Sequence, residues 1–184
     1  MTLRTTLRDD ALATLETWRP PTPEQERLRG RFVSHLRDHD DGLRRTCFPD
    51  HVTAGTLVVD ESAGRVLLNL HGKAQRWFAF GGHCEAGDDT LAGAAAREAR
   101  EESGIDDLRF DPVPAHLDEH AVGFCDPRGV VRHLDVRYVA VAPTAAVHAV
   151  SDESLDVRWW PLDALPELEP EMHELIAVAR ARFG

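Results

Sequence analysis

Cysteine is scarce in this chain of 184 residues. Cys47, Cys84 and Cys125 stand far apart, with no C-x-x-C among them. An odd count argues against a disulfide scaffold and for a reducing compartment. No apolar run approaches the ~18 residues of a membrane span. The first ten residues lead into no apolar h-region, so they do not read as a signal peptide. These absences point to a cytoplasmic protein with no membrane partner. There are no repeats and no low-complexity tail. Positive charge is also short: 21 Lys and Arg face 32 Asp and Glu, a net charge of -11. That composition argues against a nucleic acid polymer as partner, because such binding rests on Lys and Arg neutralising phosphates. A small phosphate ligand remains compatible, since bound cations can invert the local field. Ten histidines raise the question of zinc. Cys47 with His51, or His83 with Cys84, could supply ligands. No second pair at structural spacing follows, so the spacing argues against a zinc site.

What is present is ordinary for one globular domain: 42% hydrophobic and 29% charged residues, with enough chain for a substantial core. Leu3, Leu7, Leu12, Leu15 and Trp18 recur at mostly helical spacing. Pro20 to Pro23 break that pattern. Thr22 then reads as the cap of a second helix, with Pro23 at its first position, Gln25 in the box position, and Leu28, Phe32, Val33 and Leu36 on one face. The division expected is a helical extension over residues 1–44 and a catalytic domain over 45–184. The extension could cap a sheet, form a homodimer contact or wall a pocket. Residues 51–60 and 65–70 read as a hairpin. Trp77 to Phe80 lead into Gly81-Gly82. Residues 108–114 look irregular. Residues 116–125 and 133–142 look like an antiparallel pair around the turn signal Asp126-Pro127-Arg128-Gly129. A short strand over 155–160 and a helix over 170–183 close the chain.

The chemistry lies in residues 81–105. A glycine-rich loop runs into a helix capped by Asp88, Asp89 or Thr90 and stopped at Gly104. Glu98, Glu101 and Glu102 fall on or beside one face of that helix, where like charges repel. Ala92, Ala95, Ala96 and Ala99 form the opposite side. The bland meaning of such a run is a solvated acidic face. The sharper meaning is a carboxylate cluster for a hard divalent cation, shared with substrate phosphates.

Arg97-Glu98-Ala99-Arg100-Glu101-Glu102-Ser103-Gly104-Ile105 resembles the right half of the Nudix box, G-x5-E-x7-R-E-U-x-E-E-x-G-U, where U is bulky and apolar. Ala99 departs from one U position. In the left half, Asp89 stands where Glu is expected, but six residues rather than five separate it from Gly82. Asp88 has the right spacing from Gly82 and the wrong spacing to Arg97. The loop thus carries one extra residue, and either aspartate could take the place of the glutamate.

The resemblance implies a Nudix-type α/β/α sandwich with a mixed sheet. It also implies hydrolysis of a nucleoside diphosphate linked to another moiety, by water attack on phosphorus, with Mg2+ (or Mn2+) as cofactor. Carried over by position, Gly81 (through its carbonyl), Glu98, Glu101 and Glu102 are the metal ligands. Glu98 is alternatively the general base. Arg97 orients Glu98 or Asp89. Glu153 is an acidic residue placed to assist from a later loop, with Asp152 and Asp156 as rivals. Trp77, Phe78 and Phe124 are candidates to stack a base, although aromatics usually belong to cores. His83 could contact phosphate or donate a proton. His116, His120 and His133 could line the pocket or simply be hydrogen-bonded strand residues. The expected partner is a small nucleotide-type substrate. A non-catalytic Nudix-fold sensor or interaction protein is the alternative function. An isomerase acting on isopentenyl diphosphate would need a catalytic cysteine and a glutamate on opposite sides of the pocket, for which Cys84 and Glu153 are the candidates.

Overall fold

The computed structural model describes residues 6–151 and 154–184. Its elements run in the order α1 (Leu7–Thr17), α2 (Pro23–Asp38), β1 (Asp50–Asp60), β2 (Arg65–His71), β3 (Trp77–Phe78), β4 (Phe80–His83), α3 (Leu91–Ser103), β5 (Arg109–Asp126), β6 (Gly129–Ala142), β7 (Ser154–Pro161) and α4 (Pro170–Phe183). The strands form one mixed sheet in the order β3-β2-β1-β6-β5, with β4 also pairing β1 and β7 pairing β2. β1 and β6 run parallel, and the other pairs are antiparallel.

The parallel pair at the centre sorts the whole molecule into layers, because side chains alternate faces along a strand. Val52, Ala54 and Val58 of β1 and Leu134, Val136, Tyr138 and Ala140 of β6 pack toward α3, joined at one end by α1 and α2. Leu57, Val59, Val139 and Val141 pack toward Met172, Leu175, Ile176 and Ala179 of α4. The result is the α/β/α sandwich with a mixed sheet that the resemblance implies. α1 and α2 share a single hydrophobic cluster with the sheet and α3, so they cap one face of it.

Local chemistry explains most boundaries. At α1, Thr6 Oγ1 accepts from the Asp9 N–H and the Asp9 carboxylate accepts from the Thr6 N–H, a reciprocal cap. Leu3 lies outside the described residues. Thr22 caps α2 as expected, with Pro23 at the first position. Gln25 does not complete that box. Its side chain is buried instead, with Oε1 accepting from the Leu117 N–H at 2.7 Å and Nε2 donating to the Leu117 carbonyl at 2.9 Å. β5 is an edge strand, and its buried backbone groups would be costly if unpaired. Thr90 is the cap of α3, and Gly104 ends it at φ 68°. Residues 108–114 are not irregular throughout. Arg109, Phe110 and Asp111 pair with β6, and the register slips between Asp111 and His116, where Pro112 and Pro114 lack an N–H to give the ladder. No helix among the described residues is long and apolar enough to cross a membrane.

Candidate functional site

The alternation that fills the core also builds a cavity. On the α4 side of the sheet, Thr53 of β1 and His133, Asp135 and Arg137 of β6 face a pocket of about 600 Å³. Gly81, Gly82, His83 and Glu102 form its floor, Phe78, His71 and Phe124 stand at the aromatic side, and Arg45, Lys73 and Arg76 supply positive charge. Parallel register sets His51 beside His133 and Thr53 beside Asp135. Antiparallel register sets His83 beside Thr53 and Gly81 beside Gly55.

The acidic end belongs to α3 and β4. Arg97 is its organiser. Its Nε and Nη2 grip the two Asp88 oxygens, both at 3.0 Å, and Nη1 reaches Glu98 at 2.9 Å and Glu101 at 3.0 Å. Nη2 also donates to the His83 carbonyl at 3.1 Å, which ties the helix to β4. Bidentate guanidinium–carboxylate contacts add geometric specificity as well as strength. The two-oxygen grip falls on Asp88, so the extra loop residue is taken up between Asp88 and the helix. Burial by itself would raise the Asp88 pKa, but the Arg97 fork and the Glu85 N–H outweigh it and hold the carboxyl below its usual value. The same fork raises the pKa of Arg97.

Glu102 is buried at 8% exposure and accepts from the Gly81 N–H at 2.9 Å. Glu98 lies against Gly82, where an added Cβ would come within 2.8 Å of its carboxyl atoms. Glycine is required at Gly81 for a different reason: a Cβ there would lie 2.6 Å from the Gly55 Cα of the neighbouring strand. Two such carboxylates suit magnesium, which is commonly held by one or two carboxylates and substrate phosphates. Glu101 points outward, its side chain 60% exposed against Arg97.

The opposite end is made of nitrogen and sulfur. His51, His83, His133 and Cys125 bring their ligand atoms within 4.8 Å of one another, the one such group of His, Cys, Asp or Glu found among the described residues. Burial, then the neighbouring His51 and Arg45, push the His83 pKa down to about 4. Burial, then His120, His83, His51 and Arg45, push His133 to about 2. Both shifts favour the neutral imidazole. Deeper in, Arg137 Nε donates to Asp135 at 2.8 Å and Nη2 to Asp118 at 2.7 Å, while its buried Nη1 has no hydrogen-bond partner.

The residues singled out from sequence separate into three groups. Gly81, His83, Phe78, Glu102, His120 and His133 line the pocket, and Arg97 and Glu98 stand beside it. Trp77 does not line it. Its ring meets Trp160 at 5.2 Å and packs with the α4-side core. His116 is buried elsewhere, near Gln25 and Glu174. Cys84 packs against the α3-side cluster, and burial, then Asp88, push its thiol up to about 12. Glu153 and Asp152 lie outside the described residues. Sequence reading missed Asp135, Arg137 and Asp118, and it did not join His51 and Cys125 to the site. A signal existed for part of this. His133, Asp135 and Arg137 alternate with Leu134, Val136 and Tyr138, the pattern of a strand with one polar face.

Residues 49–179 match the model of the NUDIX domain. A comparison with curated proteins gave no match. Among solved structures, a NUDIX-family hydrolase from Clostridium perfringens aligns with a TM-score of 0.56 at 22% identity, over 72% of this chain and 97% of that one. The Ap4A hydrolase of C. elegans, in a binary complex, aligns with a TM-score of 0.55 at 21% identity, over 71% and 96%. A UDP-X diphosphatase aligns with a TM-score of 0.55 at 13% identity, over 95% and 93%, a span that takes in α1 and α2. At these identities the likeness is one of fold.

Proposed function

The chain belongs to the NUDIX family, and on that basis we propose that it is a pyrophosphohydrolase cleaving a nucleoside diphosphate linked to a second group. The observation that carries this is Glu102 on Gly81 at the floor of a pocket of about 600 Å³, with Glu98 beside it against Gly82 and held by Arg97, which Asp88 grips. Glu98, Glu102 and the Gly81 carbonyl would hold Mg2+ or Mn2+. Such an ion neutralises phosphate charge and acidifies water, which phosphoryl transfer needs more than covalent help.

The chain's own residues supply position. Arg97 aims Glu98, either as a ligand or as the base that receives the proton of the attacking water. Glu102 is held rigid by the Gly81 N–H. Arg45, Lys73 and Arg76 give an acidic protein a local patch that favours a polyphosphate. Phe124 is 49% exposed, with the His71 ring at 5.7 Å and Lys73 Nζ at 5.9 Å, a surface on which a base can stack. Arg137 Nη1 is left to meet an acceptor on the substrate. Two of the similar structures are an Ap4A hydrolase and a UDP-X diphosphatase, and a phosphoanhydride joined to a base is the substrate chemistry proposed for this pocket.

The test is phosphate release, with and without added phosphatase, across dinucleotides, nucleotide sugars, ADP-ribose and nucleoside triphosphates. Turnover of one class that requires Mg2+ or Mn2+ and stops with chelator is the expected outcome. Silence across the panel, combined with tight nucleotide binding, would overturn hydrolysis in favour of a ligand sensor.

A further inference from the structure

A second group of potential ligands sits at the far end of the same pocket. His51 begins β1, His83 ends β4, Cys125 is near the end of β5 and His133 is on β6. His83 Nε2 and His51 Nε2 are 3.1 Å apart, Cys125 Sγ is 3.4 Å from both His83 Nε2 and His133 Nε2, and Cys125 Sγ is 3.9 Å from His51 Nε2. Metal–nitrogen and metal–sulfur bonds of roughly 2.0–2.1 and 2.3 Å, set at tetrahedral angles, require roughly 3.3 Å between nitrogens and roughly 3.6 Å between nitrogen and sulfur. The four atoms already stand near those separations. The three rings surround one point, with centroids 5.0, 5.0 and 5.1 Å apart pairwise.

The supporting contacts also fit. His51 Nδ1 lies 3.1 Å from the Cys47 carbonyl. A carbonyl only accepts, so Nδ1 carries the proton and Nε2 presents a lone pair to the cluster. Orientation of a ligating imidazole by a backbone carbonyl on its other nitrogen is the usual outer arrangement of metal sites. Arg45 donates to the Cys125 carbonyl at 3.0 Å, holding the end of β5 and placing a cation near the thiol. Histidine and thiolate together select a borderline metal such as zinc over magnesium, which prefers oxygen.

We propose that His51, His83, His133 and Cys125 form a closed, tetrahedral zinc site, separate from the carboxylates on α3. Binding releases the Cys125 thiol proton to solvent, and three imidazole lone pairs and one thiolate complete the shell. The consequence is mechanical. Four strands are clamped at one point, and His83 adjoins Gly81-Gly82, whose amide and neighbour carbonyl hold Glu102 and Arg97. This proposal does not depend on the hydrolase reading.

The experiment is metal binding to the full chain after removal of metal by chelator. Titration with Co2+ should saturate at one tight equivalent, with strong visible bands of tetrahedral geometry and a thiolate-to-cobalt charge-transfer band. Zn2+ should displace the Co2+, and a large excess of Mg2+ should not. Cys125→Ser should lose the charge-transfer band and weaken zinc at least ~100-fold, while Cys84→Ser and Glu102→Gln keep both. If Cys125→Ser fails to fold, His133→Gln serves as the second variant, expected to weaken zinc similarly while the band persists or shifts. Weak, octahedral cobalt binding by the wild type would overturn the site and leave a hydrogen-bonded polar cluster. A charge-transfer band surviving in Cys125→Ser would overturn the ligand set.

Discussion

The two ends of the pocket are built in opposite ways. The acidic end is local: Glu98, Arg97, Glu101 and Glu102 lie within two turns of α3, and their partners are Asp88 in the loop just before it and Gly81 and Gly82 in β4, the strand that leads into that loop. The nitrogen and sulfur end is dispersed, with ligands at residues 51, 83, 125 and 133 on four strands. A local site is shaped by one helix and its approach loop. A dispersed site exists only once the sheet has formed, so its integrity reports on the fold as a whole. The acidic end should therefore answer to kinetics, and the other end to stability and metal content.

Glu102→Gln is the sharpest way to break that contrast. Its remaining oxygen can still accept from the Gly81 N–H, so the loop should keep its shape while the charge is gone. We expect kcat to fall roughly 10²–10³-fold, the scale of losing a preorganised electrostatic group, with an unchanged melting temperature. Steady-state kinetics beside thermal denaturation checks both. Full activity would detach Glu102 from the chemistry, and a large loss of stability would make it structural.

Asp88→Asn should come next, at roughly 10–100-fold in kcat, because it releases Arg97 from its two-oxygen grip and leaves Glu98 less firmly aimed. It also has a pH signature. The folded-state pKa of Asp88 lies below 3.8, so its charge stabilises the fold above that value and the contribution is lost as pH falls through the folded pKa. The stability gap between wild type and Asp88→Asn should thus be steady near neutral pH and close in acid. Urea denaturation as a function of pH measures it. A gap that widened on acidification would contradict the sign.

Phe124→Ala tests the aromatic side of the pocket, which belongs to neither end. A half-exposed ring contributes little to the fold, so the expected result is a KM raised by about five- to tenfold with kcat nearly kept, as for loss of binding shared by ground and transition states. Trp77→Ala is the matching control. Its ring is seated against Trp160, so stability should suffer and KM should not.

How much of this could be read in the sequence follows from the same contrast. The box was legible because its spacing is contiguous, and it carried the family, the sandwich and the acidic end. The strands over 51–60 and 133–142 were also legible, but not their parallel pairing at the centre of the sheet. The loop insertion was visible too, but only the Arg97 fork to Asp88 shows how the chain absorbs it. Gln25 was misread because a capping-box position says nothing about an edge strand that needs its amide. The histidine–cysteine group was out of reach for a related reason. Spacing rules for zinc assume ligands in near pairs, whereas here the pairing register of β1 with β6 brings His51 to His133.

The smallest expected effect concerns Glu101, and it tests where locality stops. Box position makes both Glu101 and Glu102 ligands, yet one side chain is 60% exposed and paired with Arg97 while the other is buried. An exposed ion pair contributes little, about 0–1 kcal/mol. Glu101→Gln should therefore lower kcat less than about tenfold and leave the Mg2+ concentration dependence close to that of wild type. A loss matching that of Glu102→Gln, with a higher Mg2+ requirement, would mean that Glu101 leaves Arg97 and turns inward when the ion arrives. The acidic end would then be assembled by its metal rather than preformed.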